Sequence, residues 1–174
     1  MTSKEEAREQ KRMGTTMLVL AWVVLIALGI FFFNDLLGDQ HNPNQLVQSR
    51  YNEDGAREIF LQRNKSGHYV TSGKINGQQV TFILDTGATG VAVPEAMAKR
   101  LGLSRGRAFP TQTANGMSTS YAVILDRVSV GAIELRDVAA GITPGLQSEE
   151  ALLGMSFLKH IEFTQQGSTL VLRQ

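Results

Sequence analysis

The sequence predicts an all-β domain preceded by one transmembrane helix, and three observations lead there. Residues 13–34 carry no charge, and 15–33 are almost entirely Leu, Val, Ile, Ala, Phe and Trp. From residue 56 onward, short β-type runs alternate with turn residues at the spacing of a sandwich or barrel. Cysteine is absent from the 174 residues, so no disulfide framework, thiol nucleophile or thiolate metal site is available and stability rests on burial. A formal net charge of +1 gives no field that would point to nucleic acid as the main partner.

The N-terminal tail, residues 1–13, holds Lys4, Arg8, Lys11 and Arg12. At about 1.5 Å per residue, the apolar run 15–33 makes a helix of roughly 28 Å, close to the hydrocarbon thickness of a bilayer. It is longer than the apolar region of a cleaved signal, and Phe31, Phe32, Phe33, Asn34 and Asp35 offer no small-residue cleavage site. A retained signal anchor over 14–34 is therefore expected. Basic residues before the span, with Asp35 and Asp39 after it, place the N-terminus in the cytoplasm and the remainder on the periplasmic or extracytoplasmic side. Residues 35–55, rich in Asn, Gln, Asp and Gly without a sustained period, read as a flexible linker. Tail, linker and remainder carry net charges of +1, −3 and +3.

The remaining domain, 56–174, opens with a β-type run at 58–62. The next runs, 69–75 and 78–85, flank Asn76-Gly77, a dipeptide suited to a two-residue hairpin because both positions accept positive φ. Further runs lie at 91–93, 122–130, 133–142, 161–164 and 169–172. Helix is expected over 94–102, with Pro94 at its start and Gly102 just past its end, and as a short turn near 156–160. About 119 residues suffice for one core.

The strongest local signal is Asp85-Thr86-Gly87-Ala88-Thr89 after the apolar residues Phe82, Ile83 and Leu84. Such a strand end can expose a carboxylate to a cleft; Thr86 adds a hydroxyl, and Gly87 lets the backbone turn and another chain approach. The bland alternative is an Asp that caps a turn. Context favours the first reading, because Leu152-Leu153-Gly154 follows some seventy residues later.

With these two motifs, together with Gly67-His68-Tyr69 and Ile75-Asn76-Gly77, the segment from Ala56 onward resembles the retropepsin-like aspartic proteases. The likeness is strongest to bacterial forms that carry a single N-terminal membrane anchor. The resemblance implies a closed β-barrel, Asp85 as the catalytic carboxylate, and Thr86, Gly87, Ala88 and Thr89 as its loop. It further implies that Leu152, Leu153 and Gly154 pack behind that loop. Ala114, Asn115, Gly116 and Met117 would form a flap over bound peptide, although an ordinary surface hairpin explains the same Asn-Gly pair. Thr89 departs from the Asp or Ser of many viral relatives but keeps a hydroxyl.

Hydrolysis of a peptide by carboxylates requires one ionised and one protonated group, and two carboxyls about 3 Å apart share a proton for this purpose. The chain holds a single Asp-Thr-Gly; Asp126 and Asp137 lack the loop context. The expectation is a homodimer with Asp85 from each subunit on a two-fold axis, acting on peptide or protein substrate and needing no cofactor. The competing expectation is an anchored binding or dimerisation module that keeps the fold without turnover. His41, His68 and His160 are too dispersed in sequence for a metal site, and Ser118, Ser120 and Ser156 lack a serine-hydrolase elbow.

Overall fold

A computed structural model describes residues 3–52, 55–113 and 116–174. Two compact units divide the chain, Met1–Gly38 and Asp39–Gln174. Helix α1 (Ser3–His41) makes up the first unit and continues into the second. Its stretch Arg12–Phe33 spans 22 residues at a mean hydropathy of 2.7 with none buried. By length and composition this helix can cross a membrane.

Among its described residues, the second unit contains eleven strands and two short helices. These are β1 (Gln48–Tyr51), β2 (Arg57–Gln62), β3 (Val70–Ile75), β4 (Gln78–Leu84), β5 (Val91–Pro94), α2 (Glu95–Arg100) and β6 (Ala108–Thr113). They continue with β7 (Gly116–Val130), β8 (Ile133–Thr143), β9 (Ala151–Leu153), α3 (Met155–Leu158), β10 (Glu162–Gln166) and β11 (Thr169–Arg173). Seven strands run in the order β3-β4-β9-β5-β8-β7-β6, and β3 also pairs with β7. That extra pairing closes six strands into a barrel, with β6 attached outside through β7. Closure decides between barrel and sandwich. The second sheet, β1-β2-β11-β10, is antiparallel throughout.

Local chemistry explains these elements. Asn76 and Gly77 take φ of 49° and 82°, the double positive turn that joins β3 to β4. Pro94 caps α2 at φ −57°, and Gly102 leaves it at φ 69°. Val80 and Phe82 turn inward from β4 and join Ile75, Leu125, Leu153 and Phe157 in one core. Ile59, Leu61, Leu170 and Leu172 bring the second sheet into the same cluster. On that sheet's other face a cross-strand row places Arg173 against Glu58 at 2.6 Å and Glu162 at 3.9 Å.

The described residues of the segment 35–55 differ from the expected flexible linker. Helix α1 runs to His41, and β1 pairs with β2 from Gln48↔Phe60 to Tyr51↔Arg57. Asn42 and Asn44 are buried, at 7% and 4% exposure. Asn44 donates through Nδ2 to the carbonyls of Gln62 (2.9 Å) and Val70 (2.6 Å), and its Oδ1 accepts from the Gln62 amide at 2.6 Å. An Asn/Gln-rich stretch reads as solvated loop, yet the same amides can satisfy backbone groups at strand edges. The folded unit therefore begins near Asp39 rather than at residue 56. A fragment 56–174 is expected to melt about 10 °C below a fragment 39–174, because it loses β1 and leaves the Asn44 partners unpaired. Thermal unfolding followed by circular dichroism checks this.

Strand β6 forms the first arm of the hairpin read at the second Asn-Gly pair, although its own range was not assigned from the sequence. Its residues Ala108–Thr113 include Pro110 and are largely exposed, and an edge strand tolerates the missing donor.

Candidate active site

Strand β4 delivers Asp85 between two neighbours, β3 on one side and β9 on the other. Strand β9 runs parallel to β4 with Phe82↔Ala151, Ile83↔Leu152 and Leu84↔Leu153, and it meets β5 at Ala92↔Leu152. Leu152 and Leu153 therefore lie between the strand that enters the Asp85 loop and the strand that leaves it. Gly154 follows directly at the end of β9.

Backbone bonds fix the loop. The Asp85 amide donates to Leu153 O at 3.2 Å, Ala88 N to Asp85 O at 3.2 Å, and Met155 N to Ala88 O at 2.9 Å. Asp85 Oδ1 accepts from the Gly87 amide at 2.8 Å, so the bland role of a turn-forming Asp is satisfied by one oxygen. Oδ2 receives no hydrogen bond among the described residues. Asp85 and Ala88 are half-buried, whereas Thr86, Gly87 and Thr89 are exposed. Gly154 leaves no room for a side chain: a Cβ there would lie 2.2 Å from Gly90 O and 2.6 Å from Ala88 O. Ser156 Oγ accepts from Val91 N at 3.0 Å, tying the start of α3 to β5. Sequence reasoning dismissed Ser156 as a nucleophile and did not find this role, which no motif marks.

The hairpin β6–β7 pairs Thr113 with Gly116, with a further bond from Thr113 Oγ1 to Gly116 O at 2.9 Å. Gly116 (φ 104°) starts β7, and Met117 beside it is 70% exposed. Ala114 and Asn115, expected within a flap, lie outside the described residues. Lower on the hairpin, Ser118 packs against Gly145, where a Cβ would come within 2.7 Å of its Oγ. The buried Ser120 Oγ lies 2.9 Å from Thr143 Oγ1. The hairpin is thus anchored to the segment that leads into β9. Asp126 and Asp137 are exposed strand residues on β7 and β8. Among the described residues no cluster of three His, Cys, Asp or Glu could hold a metal. A cavity of about 520 Å³ lies elsewhere, lined by Gln45, Lys74, Arg127 and Glu134 among others, and none of the 85–89 loop borders it.

His41, set aside as a metal ligand, meets Glu150 Oε1 at 2.6 Å. Burial raises the Glu150 pKa, but hydrogen bonds from Ser148, from His41 and from its own amide outweigh this and leave the carboxyl below its ordinary 4.5. Its stabilisation is complete above that ordinary value and is lost as pH falls through the lowered one. Glu150→Gln is therefore expected to flatten the acid limb of the stability curve below about pH 4.5, which denaturant unfolding across a pH series would show.

A closed barrel whose strand end presents Asp-Thr-Gly, backed by a parallel Leu-Leu-Gly strand, defines the retropepsin-like aspartic protease class. The chain belongs to the family described as "gag-polyprotein putative aspartyl protease", whose match covers residues 71–160, just over half its length. A crystal structure of a retropepsin-like aspartic protease from Rickettsia conorii superposes with a TM-score of 0.58 at 26% identity, covering 73% of this chain and 94% of that one. Two curated relatives are an uncharacterized protein in the cobV 5′ region of Sinorhizobium sp., 31% identical over 115 residues, and uncharacterized protein RP867 of Rickettsia prowazekii (strain Madrid E), 30% identical over 108. These alignments cover 64% and 60% of this chain, which spans about half of each relative's length, 49% and 46%.

Proposed function

We propose that this protein is a membrane-anchored aspartic endopeptidase that works as a homodimer, with Asp85 of each subunit forming the catalytic pair. The observation that carries the reading is the fixed Asp85 loop, in which one carboxylate oxygen is tied to Gly87 and the other is left for chemistry. Two such carboxyls close together cannot both ionise easily and share one proton; aspartic proteases are the standing example. The ionised carboxyl takes a proton from water as its oxygen adds to the scissile carbonyl, and the protonated one donates to the carbonyl oxygen. The resulting tetrahedral diol collapses with proton transfer to the leaving nitrogen, which yields a carboxylic acid and an amine. Across the two-fold axis Thr86, exposed in one subunit, braces the loop of the other. The hairpin carrying Gly116 and Met117 covers the bound peptide.

Helix α1 serves as the anchor. Lys4, Arg8, Lys11 and Arg12 before the span keep the N-terminus cytoplasmic, so the protease domain lies outside the cytoplasm. Confinement to one membrane raises the effective concentration for pairing. The deciding experiment is cleavage of a peptide library by the purified chain, blocked by a transition-state-mimicking aspartic protease inhibitor. Absence of any cleavage by a chain shown to be dimeric would sink the reading. Thr86→Ala is expected to weaken the dimer about tenfold through lost cross-subunit hydrogen bonds, as sedimentation equilibrium would measure.

A further inference from the structure

We infer that residues 41–44, where α1 enters the domain, form a clasp that positions the Asp85 loop, with Asn44 and Glu150 as positioning residues; this rests on the reading of Asp85 as the catalytic group. The argument starts from topology. Strand β4 ends at Asp85 and has two neighbours, β3 and β9, and this one short segment reaches both.

On the β3 side, Asn44 is nearly sealed from solvent and binds Gln62 at the end of β2 and Val70 at the start of β3. Its carbonyl accepts from Ser72 N at 3.1 Å, and Asn42 Nδ2 donates to Ser72 Oγ at 3.2 Å. Val70 and Thr71 in turn pair with Ile83 and Phe82. Tyr69 O takes the Leu84 amide at 3.0 Å, one residue before Asp85.

On the β9 side, His41 holds Glu150, the residue immediately before that strand. The Glu150 amide is bound by Ser148 Oγ at 3.1 Å. From there the path is short: Ala151 pairs with Phe82, and Leu153 O receives the Asp85 amide. Asn64 Nδ2 donates to the His41 carbonyl at 3.0 Å and seats the clasp from a third side. A segment whose only task was to tether the domain would need neither the buried Asn44 bonds beside β3 nor the His41–Glu150 bond beside β9.

The test compares the full-length chain in detergent micelles with Asn44→Ala, Glu150→Gln and, as a remote control, Arg127→Ala, which breaks the surface pair with Glu134. Amide hydrogen exchange is read by mass spectrometry, and cleavage is read on a peptide library. In the Asn44 and Glu150 variants residues 85–88 are expected to exchange about tenfold faster, while 124–138 exchange as in the parent and cleavage falls. The control changes neither loop exchange nor cleavage. Unchanged exchange at 85–88 in both variants, or uniform acceleration across the domain, overturns the clasp. Should Asn44→Ala fail to fold, Glu150→Gln decides alone, since it alters a surface pair. A parent chain that cleaves nothing refutes the catalytic reading of Asp85, and the exchange data still decide the clasp.

Discussion

Asp85→Asn is expected to lower peptide cleavage by about a thousandfold or more while leaving fold and dimer intact. The amide keeps the shape of the side chain, and its oxygen can still accept from the Gly87 amide, so the loop is retained. What disappears is the group that can hold or release a proton. In the proposed homodimer one substitution removes both halves of the pair, because each subunit would supply the same residue. Initial rates on a peptide library, compared at matched dimer concentration, check the prediction. Rates equal to the parent would exclude the paired-carboxylate mechanism.

Gly154→Ala is expected to destabilise the domain by about 3 kcal/mol, at the upper end of the usual cost of overpacking. The added carbon would sit 2.2 Å from Gly90 O and 2.6 Å from Ala88 O, and both obstacles are backbone rather than the movable end of a side chain. Relief requires β9 to withdraw from between β4 and β5. Withdrawal would also break the bond from Asp85 N to Leu153 O, so activity and stability fall together. Urea unfolding monitored by circular dichroism gives the stability change directly.

The motif-bearing part of the molecule was legible because its chemistry is local. Asn76-Gly77 demands a double positive turn whatever surrounds it, and the structure has one. Asp85-Thr86-Gly87 and Leu152-Leu153-Gly154 were readable as separate motifs, and the structure brings them together through the β4–β9 pairing. What remained hidden depends on partners distant in sequence. Strand β1, with its four residues all exposed, shows no apolar alternation because it lies at the edge of its sheet. Asn44 is indistinguishable from a loop asparagine until Gln62 and Val70 are placed beside it. Ser156 lacks any neighbouring signal, and its partner Val91 lies 65 residues away.

The parallel pairing of β4 with β9 also sets an order of events. Leu84 and Leu153 lie 69 positions apart, and β9 must enter between β4 and β5 before the Asp85 amide finds its acceptor. Long-range pairing of this kind carries a loop-closure cost and is expected to form after the local hairpins. During synthesis, residues 85–89 therefore emerge well before the strand that gives them their shape. A chain halted anywhere short of residue 153 would carry the aspartate without the carbonyl that receives its amide, and the loop would stay unshaped until β9 had left the ribosome.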